Sequence, residues 1–324
     1  MSGQADLVDS EQRPRSSVWW QALRWTLTCV FLGAVAWVLV ENWDELKRAP
    51  LQWRPLLTGL AIVLMIAHLF FQALLWHILS GLAACSLACR KAVWSWHCSM
   101  LGKYVPGKML LFVSRYLIYR RSGRSGGRII AALSVEAALQ MLCSALVALA
   151  LLGASEADWV QTWRPALWTF AIILALAANP RMVLLVINTA RRLVRREPIE
   201  IPLRLRHTAL LGLGYAANYA LLALAFWLFA TSLHPVELHT APYLGGAFLL
   251  AGLAGALSLF APAGLGVRDG LLMLALFSLM PEGVAAAVVL ASRVWTTTAE
   301  LGAAAAWMGV GGGTGEDGGG GNSI

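Results

Sequence analysis

The sequence predicts an all-α polytopic integral membrane protein, with about six full spans and two re-entrant broken-helix hairpins in an inverted repeat. Three observations lead to this fold class. Of the 324 residues, 59% are hydrophobic and only 13% are charged, and the mean hydropathy is +0.67. The chain divides into apolar runs of about 20 residues, the length that crosses a bilayer as a helix. Two further apolar stretches are interrupted by proline and glycine.

The chain begins with a polar and then basic segment, MSGQADLVDSEQRPRSSVWW, and no small-residue cleavage site precedes Glu41. We therefore expect a cytoplasmic tail over residues 1–18, followed by a first span that is not removed. The six predicted full spans are Trp20–Val40, Leu56–Gly81, Ile129–Gly153, Ala166–Ile187, Thr208–Thr231 and Val284–Met308.

Lysine and arginine concentrate in two of the connections, at 120–128 and 191–207. Because basic loops stay in the cytoplasm, we expect both connections and both termini on that side. The connections at 41–55, 154–165 and 232–242 carry less positive charge and are expected outside. The net charge of +8 is explained by loops that face anionic lipid, so no nucleic-acid partner is expected.

The stretch Ala92–Tyr119 lies between two basic segments that are both predicted to be cytoplasmic. Its length of about 28 residues is short for two crossings at roughly 1.5 Å per residue. We therefore predict a re-entrant hairpin that turns at the sequence YVPG. The same reasoning predicts that Tyr243–Met280 dips from the outer face and turns at PAGLG.

These elements form two halves, a first repeat over residues 20–153 and a second, inverted repeat over residues 166–309. Each has two spans, a broken hairpin and a final span. Such repeats with Pro/Gly-interrupted segments are typical of secondary transporters. Together they form one transmembrane domain over residues 19–309. The Gly-rich tail at 310–324 has no apolar content to bury and is predicted to be disordered.

Charged residues near the two hairpin turns predict a binding site for an anion. Irregular backbone at membrane depth is tolerated where it lines a wet cavity, and broken helix ends attract anions. The predicted substrate-binding residues are Lys103, Tyr104, Pro106, Gly107, Lys108, Arg115, Gly264, Gly266, Arg268 and Arg293. The residues predicted to balance charge or carry protons are Glu136, Asp269 and Glu300.

Several of these residues also have a purely structural interpretation. Lys103 would snorkel to the cytoplasmic interface, and Arg115 would belong to the basic loop that follows it. Arg268 and Asp269 would form a local ion pair.

Glu136 and Arg293 occupy matching places after the two hairpins. They are predicted to pair with each other, or to lie beside Arg268 and Lys108 respectively, and a pair would serve either binding or helix packing. The five cysteines show no zinc-like spacing, so we expect neither a metal nor a cofactor.

The two motifs together resemble the flippase-like domain family, that of the lysylphosphatidylglycerol synthase transmembrane region. LGKYVPGK and PAGLGVRDG are similar to the family patterns G-K/R-Y-L/V-P-G and P-G-G-L-G-V-R-E. Ala263 stands where the family has Gly, and Asp269 stands where it has Glu. The resemblance covers residues 20–309 and includes a membrane Glu and an Arg in the last span.

The resemblance implies a bacterial inner-membrane protein that moves anionic phospholipids or polyprenyl-phosphate-linked lipids between leaflets. The longest hydrophilic stretches are about 15–20 residues, too short for the soluble aminoacyl-transfer domain of the full synthase. No GxxxxGK[ST] loop is present, so ATP is not expected to drive transport directly.

Two alternatives to a translocase are kept, although the sequence favours a transporter over an enzyme. One is an integral membrane transferase that uses a polyprenyl-phosphate or phospholipid substrate. The other is a non-catalytic membrane subunit that anchors a partner. The expected partner is a membrane lipid; the sequence names no protein partner and leaves homo-oligomerisation open.

Overall fold

The structure is a computed structural model. It describes Val40 and residues 53–104, 109–177, 180–193, 198, 205–258, 264 and 266–311. Within these residues there are ten α-helices and two short 3-10 segments, Leu101–Tyr104 and Leu238–Thr240, and the described part of the chain contains no strand. The helices are α1 (Pro55–Leu82), α2 (Cys89–Met100), α3 (Met109–Arg121), α4 (Gly126–Gly153), α5 (Asp158–Ala177), α6 (Pro180–Leu193), α7 (Leu205–Leu233), α8 (Ala241–Leu257), α9 (Val267–Leu276) and α10 (Glu282–Gly311).

Six of these helices are long and apolar enough to cross a membrane. They are α1, α4, α5, α7, α10 and α8 together with the 3-10 segment before it, with apolar lengths of 20 to 28 residues. The chain is therefore a multi-pass, all-α membrane protein, as predicted. The predicted tail 1–18, the first span up to its last residue Val40 and the tail beyond residue 311 lie outside the described residues.

The core is centred on α1 and α7, which pack along each other in opposite directions. The backbone N–H of Arg54, just before α1, donates to the carbonyl of Ser232 at the far end of α7, at 2.9 Å. Further along the pair, His68 Nδ1 lies 3.1 Å from the carbonyl of Asn218. Because this polar contact is buried between the two helices, it fixes their register as well as satisfying both groups.

One predicted span has the wrong bounds. The sequence predicted a span over Ala166–Ile187 and a loop over 154–165, whereas α5 already begins at Asp158 and ends at Ala177. A second helix, α6, starts at Pro180. Proline favours the first turn of a helix, which is the place that Pro180 takes in α6.

Two pairs of packed helices lie where the hairpins were predicted. Most residues of the predicted turns lie outside the described residues, and α8 with the 3-10 segment before it is long enough to cross the membrane as a full span. The first pair consists of α2 and α3, with 12 and 13 residues, and the second of α8 and α9, with 17 and 10 residues. At about 1.5 Å per residue, α2 and α3 are each about 20 Å long or less, too short for a hydrocarbon core of about 30 Å. Re-entry from one face and the inverted repeat stay predictions, since no membrane position is fixed by these contacts.

The arms of each hairpin approach closely where a glycine stands. A Cβ on Gly102 would lie 2.5 Å from the backbone nitrogen of Leu111, so only glycine fits between the arms of the first hairpin. In the second hairpin, a Cβ on Gly255 would lie 2.9 Å from the Cβ of Arg268. Gly264 and Gly266, in the break itself, have φ of +72° and +83°, a region that glycine adopts without strain.

One end of the molecule collects basic side chains from three neighbouring segments. The end of α1, the start of α2 and the connection between α3 and α4 meet there, since Arg128 Nη1 donates to the carbonyl of Ala84 at 3.4 Å. The exposed basic residues at this end are Arg90, Lys91, Arg120, Arg121, Arg124 and Arg128. It is the end that the charge rule assigns to the cytoplasm.

Candidate functional site

Among the residues that the structure describes, the most deeply buried charged ones form an ion pair between α3 and α4. Arg115 Nη1 contacts Glu136 Oε2, and the two side chains are 0% and 3% exposed. Glu136 Oε1 also accepts hydrogen bonds from Trp96 Nε1 and Gln140 Nε2, each at 3.1 Å. Arg115 Nε donates to Ser99 Oγ at 3.1 Å, which ties the pair to both arms of the first hairpin.

Aromatic rings enclose the guanidinium of this pair. Its Cζ lies 4.6 Å from the Trp76 ring centroid and 6.0 Å from that of Trp96. Trp76 Nε1 in turn donates to the Tyr119 hydroxyl at 2.9 Å. A desolvated cation over aromatic faces gains cation–π attraction, which helps to offset the burial of Arg115 Nη2, an atom without a hydrogen-bond partner. The contacts of the pair come from α1, α2, α3 and α4. We call Arg115 and Glu136 the sealed pair.

The sealed pair corrects two sequence-based interpretations. Arg115 does not belong to the exposed basic loop, because its side chain is fully buried. Glu136 pairs with Arg115, and not with Arg293 or Arg268 as the repeat suggested. The reason is local: α3 and α4 are joined by a short turn, so residues 21 apart in sequence face each other across it.

A second ion pair joins the first hairpin to α10. Lys103, in the 3-10 segment after α2, contacts Glu300 Oε2 through its Nζ. The lysine side chain is 25% exposed and the glutamate 11%. Lys103 therefore has an ion-pair partner in α10, a contact that snorkelling alone does not account for.

A third ion pair joins the second hairpin to the same helix. Arg293 Nη1 lies 3.6 Å from Asp269 Oδ1, and their side chains are 18% and 4% exposed. Asp269 stands in the first turn of α9, directly after the broken segment. Its neighbour Arg268 faces α8, where its guanidinium carbon lies 4.9 Å from the Phe248 ring centroid.

One face of α10 therefore receives both hairpins. Arg293 and Glu300 are seven residues apart, which is two helical turns and roughly 10 Å along one face. Arg293 lies close to the middle of the apolar length Glu282–Trp307. We call Lys103–Glu300 and Arg293–Asp269 the open pairs, because each keeps one side chain that is about a fifth exposed.

The structure brings together only part of the predicted site. Lys103, Glu300, Arg293 and Asp269 meet on α10, whereas the sealed pair forms a separate cluster. Gly264 and Gly266 lie in the break that precedes Asp269. Pro106, Gly107 and Lys108 lie outside the described residues, and the side chain of Tyr104 is not described. The binding role of every predicted residue stays a prediction.

The charges around the predicted site differ from the sequence-based prediction of a cavity lined by cations alone. Each of Lys103, Arg115 and Arg293 is matched by a carboxylate from another element. A cation at membrane depth costs several kcal/mol unless it is paired, so carboxylates are expected beside it when no anionic ligand is bound. An anionic ligand would compete with these carboxylates for the same cations.

Sequence reasoning did not identify Trp76, Trp96, Ser99, Tyr119 and Gln140 as parts of the charged cluster. Gln140 had a signal, since it follows Glu136 by four residues and neighbours at that spacing share a helix face. The others come from separate elements, and ordinary core packing explains aromatic residues in an apolar sequence equally well.

Comparison with known families and proteins gives one match. The model of the family described as the lysylphosphatidylglycerol synthase TM region matches residues 25–301. No curated protein and no solved structure matches this chain. The family match confirms the resemblance drawn from the two motifs.

Proposed function

Because this chain belongs to the lysylphosphatidylglycerol synthase transmembrane-region family, we propose that it moves an anionic lipid between the leaflets of the bacterial inner membrane. The family and the six apolar helices support a membrane protein whose role concerns lipids. The proposed cargo is a phospholipid or a polyprenyl-phosphate-linked lipid. Its shared chemistry is a phosphate head group attached to long apolar chains.

The observation that carries this proposal is the convergence of the two open pairs on one face of α10. Each hairpin contributes one charged residue, and α10 contributes the opposite charge. Arg293 lies close to the middle of the apolar length of α10, and Glu300 lies two turns nearer its end. Functional charges are strongly over-represented among intramembrane ionisable residues, because their burial is expensive. Two pairs that bridge broken helices are therefore better explained by ligand handling than by helix packing alone.

We assign the open pairs the role of exchanging partners with the phosphate. When the head group arrives, it replaces Glu300 beside Lys103 and Asp269 beside Arg293. Charge-assisted hydrogen bonds to phosphate are about as strong as those to a carboxylate, so the exchange requires little net energy. The acyl chains remain in the surrounding lipid while the head group passes between the hairpins.

The sealed pair has a different role in this mechanism, that of holding the arms of the first hairpin. Its side chains are enclosed, and separating them would leave a buried charge uncompensated at a cost of about 3–5 kcal/mol. We therefore propose that Arg115 positions the hairpin and does not bind phosphate itself. In the same proposal the hairpins enter from opposite faces, and both termini are cytoplasmic.

A leaflet-exchange assay tests this function. The purified protein is reconstituted into vesicles that contain a phosphatidylglycerol with a fluorescent acyl chain, and an impermeant reductant reports the fraction in the outer leaflet. We expect the wild-type protein to expose the inner-leaflet pool, and Arg293→Gln to slow that exposure about ten-fold or more, the effect of one lost charge-assisted hydrogen bond.

The control is Arg192→Gln, which removes an exposed arginine near the end of α6, outside the site. It should exchange lipid at the wild-type rate. Equal rates in protein-containing and protein-free vesicles would refute the proposal, and so would an Arg293→Gln variant as fast as the wild type.

A further inference from the structure

The outer surface of the first hairpin carries a groove that the proposed transport site does not use. It is a cavity of about 380 Å³ between α3 and α4, open along one side. Its lining includes Phe112, Val113 and Tyr116 of α3 and Ile130, Leu133 and Ala137 of α4. We call it the α3–α4 groove. Its volume lies within the range of roughly 300–1,000 Å³ that is usual for ligand pockets.

The groove is apolar along its length and faces away from the core. Phe112, Val113 and Ile130 are each about 40% exposed although they are large hydrophobic residues. Ser134, which also lines it, donates its hydroxyl back to the Ile130 carbonyl at 2.8 Å and so presents little polar surface. α4 is one of the helices long and apolar enough to cross the membrane, so we expect this open side to adjoin the acyl chains of the bilayer.

Arginines lie at one end of the groove. A Cβ on Gly126 would lie 2.9 Å from the Tyr116 hydroxyl and 3.5 Å from Cδ of Arg120, so all three residues adjoin at this end. Arg120 Nη1 donates to the carbonyl of Arg124 at 3.1 Å, which lays the guanidinium across the turn between the helices. Arg121 is exposed beside it, and residues 109–135 contain no aspartate or glutamate.

An apolar groove that ends at several exposed arginines matches the two parts of an anionic phospholipid. We infer that the α3–α4 groove binds one acyl chain of a membrane phospholipid whose anionic head group lies against Arg120, Arg121 and Arg124. This site is distinct from the open pairs, and it does not depend on transport. The match of charge favours an anionic head group, since each basic residue near an anionic surface typically raises affinity about five-fold.

Photo-crosslinking tests the site on the full-length protein in lipid nanodiscs. The probe is phosphatidylglycerol with a diazirine in one acyl chain, compared with phosphatidylcholine that carries the same chain. Peptide mapping should find the label on α3 and α4 at the groove, at least about five-fold more with the anionic probe. Equal labelling by the two probes would overturn the inference.

Two variants separate the groove from the arginines. Ala137→Trp fills the groove and should abolish labelling there, whereas Met141→Trp places the same side chain on an exposed position of α4 outside it and should not. The triple variant Arg120→Gln, Arg121→Gln and Arg124→Gln should reduce labelling by the anionic probe to the level of labelling by the zwitterionic probe. Undiminished labelling in Ala137→Trp would overturn the inference, as would crosslinking of the groove to a second copy of the chain in place of lipid.

Arg293→Gln keeps this test separate from the proposed function. Its substitution lies in α10 and should leave labelling of the groove unchanged even where lipid exchange is lost. If exchange is absent and the groove still shows the anionic preference, only the transport proposal fails. If exchange is present and the groove shows no such preference, only the lipid site fails.

Discussion

Each of the two hairpins carries a charged side chain that is paired with an opposite charge, but the two ion pairs differ in how completely they are enclosed. The first hairpin carries Arg115 in a closed shell of rings and hydrogen bonds against Glu136. The second carries Asp269 against Arg293 of α10, at 3.6 Å, with the arginine side chain 18% exposed. A closed pair is expensive to separate and suits a structural role, whereas a partly open pair can exchange its partner for a ligand.

The first hairpin contains both kinds of pair, which sharpens this contrast. Lys103 follows Ser99 by four residues, and Ser99 accepts a hydrogen bond from Arg115 of the sealed pair. The Lys103 side chain nevertheless contacts Glu300 of α10 and is 25% exposed. Position along the chain therefore does not decide which charge is sealed. The decisive factor is whether neighbouring helices surround the side chain completely.

The largest effect is expected from removing half of the sealed pair. Glu136→Ala would leave the Arg115 guanidinium buried without a counter-charge, which costs about 3–5 kcal/mol. We expect a large fall in the unfolding temperature of the protein in mild detergent, measured by its tryptophan fluorescence. The double variant Arg115→Met/Glu136→Leu should recover most of that loss, because it removes both charges and keeps apolar volume. A Glu136→Ala protein as stable as the wild type would show that the pair is not sealed.

A smaller loss is expected where the hairpin arms touch. Gly102→Ala would force a methyl group to within 2.5 Å of the Leu111 backbone nitrogen, and overpacking of this kind costs about 1–3 kcal/mol. Gly255→Ala should cost less, because its nearest neighbour, the Cβ of Arg268, lies at 2.9 Å and not at 2.5 Å. Gly81→Ala and Gly252→Ala have no atom within 4 Å and serve as controls for α1 and α8. Equal losses at all four glycines would contradict close packing in the hairpins.

The smallest effect is expected in the rate of cysteine labelling, which is measured on the intact fold at the end of the molecule that carries the first hairpin. Cys85, in the connection before α2, is buried, and burial raises the pKa of its thiol to about 11. Cys89 is exposed at the start of α2. Among single-cysteine variants, an impermeant maleimide at pH 7.5 should label Cys89 rapidly and Cys85 very slowly, since the thiolate is the reactive form.

Because labelling at Cys89 is also sided, it locates the basic end of the molecule. In right-side-out vesicles the reagent should reach Cys89 only after the membrane is opened, if this end is cytoplasmic. Labelling in sealed vesicles would reverse the predicted orientation. Rapid labelling of Cys85 at neutral pH would show that the connection between α1 and α2 is open.

Hydropathy was sufficient to predict the bounds of most long helices. It was insufficient where a helix begins with polar residues. The predicted spans Leu56–Gly81 and Thr208–Thr231 match α1 and α7 closely, because continuous apolar runs admit few alternatives. The start of α5 was missed because Asp158 and the polar residues after it resemble a loop. Proline and glycine indicated where α2 is followed by α3 and where α8 is followed by α9, since these residues interrupt helices for local steric reasons.

The ion pairs show why the site was harder to predict than the fold. The sequence selected Lys103, Arg115, Glu136, Asp269, Arg293 and Glu300 because charges in apolar segments are conspicuous. It did not predict which of these residues pair, because a pair such as Lys103 and Glu300 forms only once the helices are packed. The rings around Arg115 gave no signal, because an apolar chain with 15 tryptophans offers too many candidates.

The most direct test of the account compares two variants that each neutralise one complete pair. Lys103→Met/Glu300→Gln removes an open pair, and Arg115→Met/Glu136→Leu removes the sealed pair, so neither leaves an unpaired charge. We measure leaflet exchange of fluorescent phosphatidylglycerol in vesicles with equal amounts of folded protein. We expect exchange at least about ten-fold slower in the first variant, the effect of one lost charge-assisted hydrogen bond, and near the wild-type rate in the second. Wild-type exchange in the first variant, or its loss only in the second, would contradict the account.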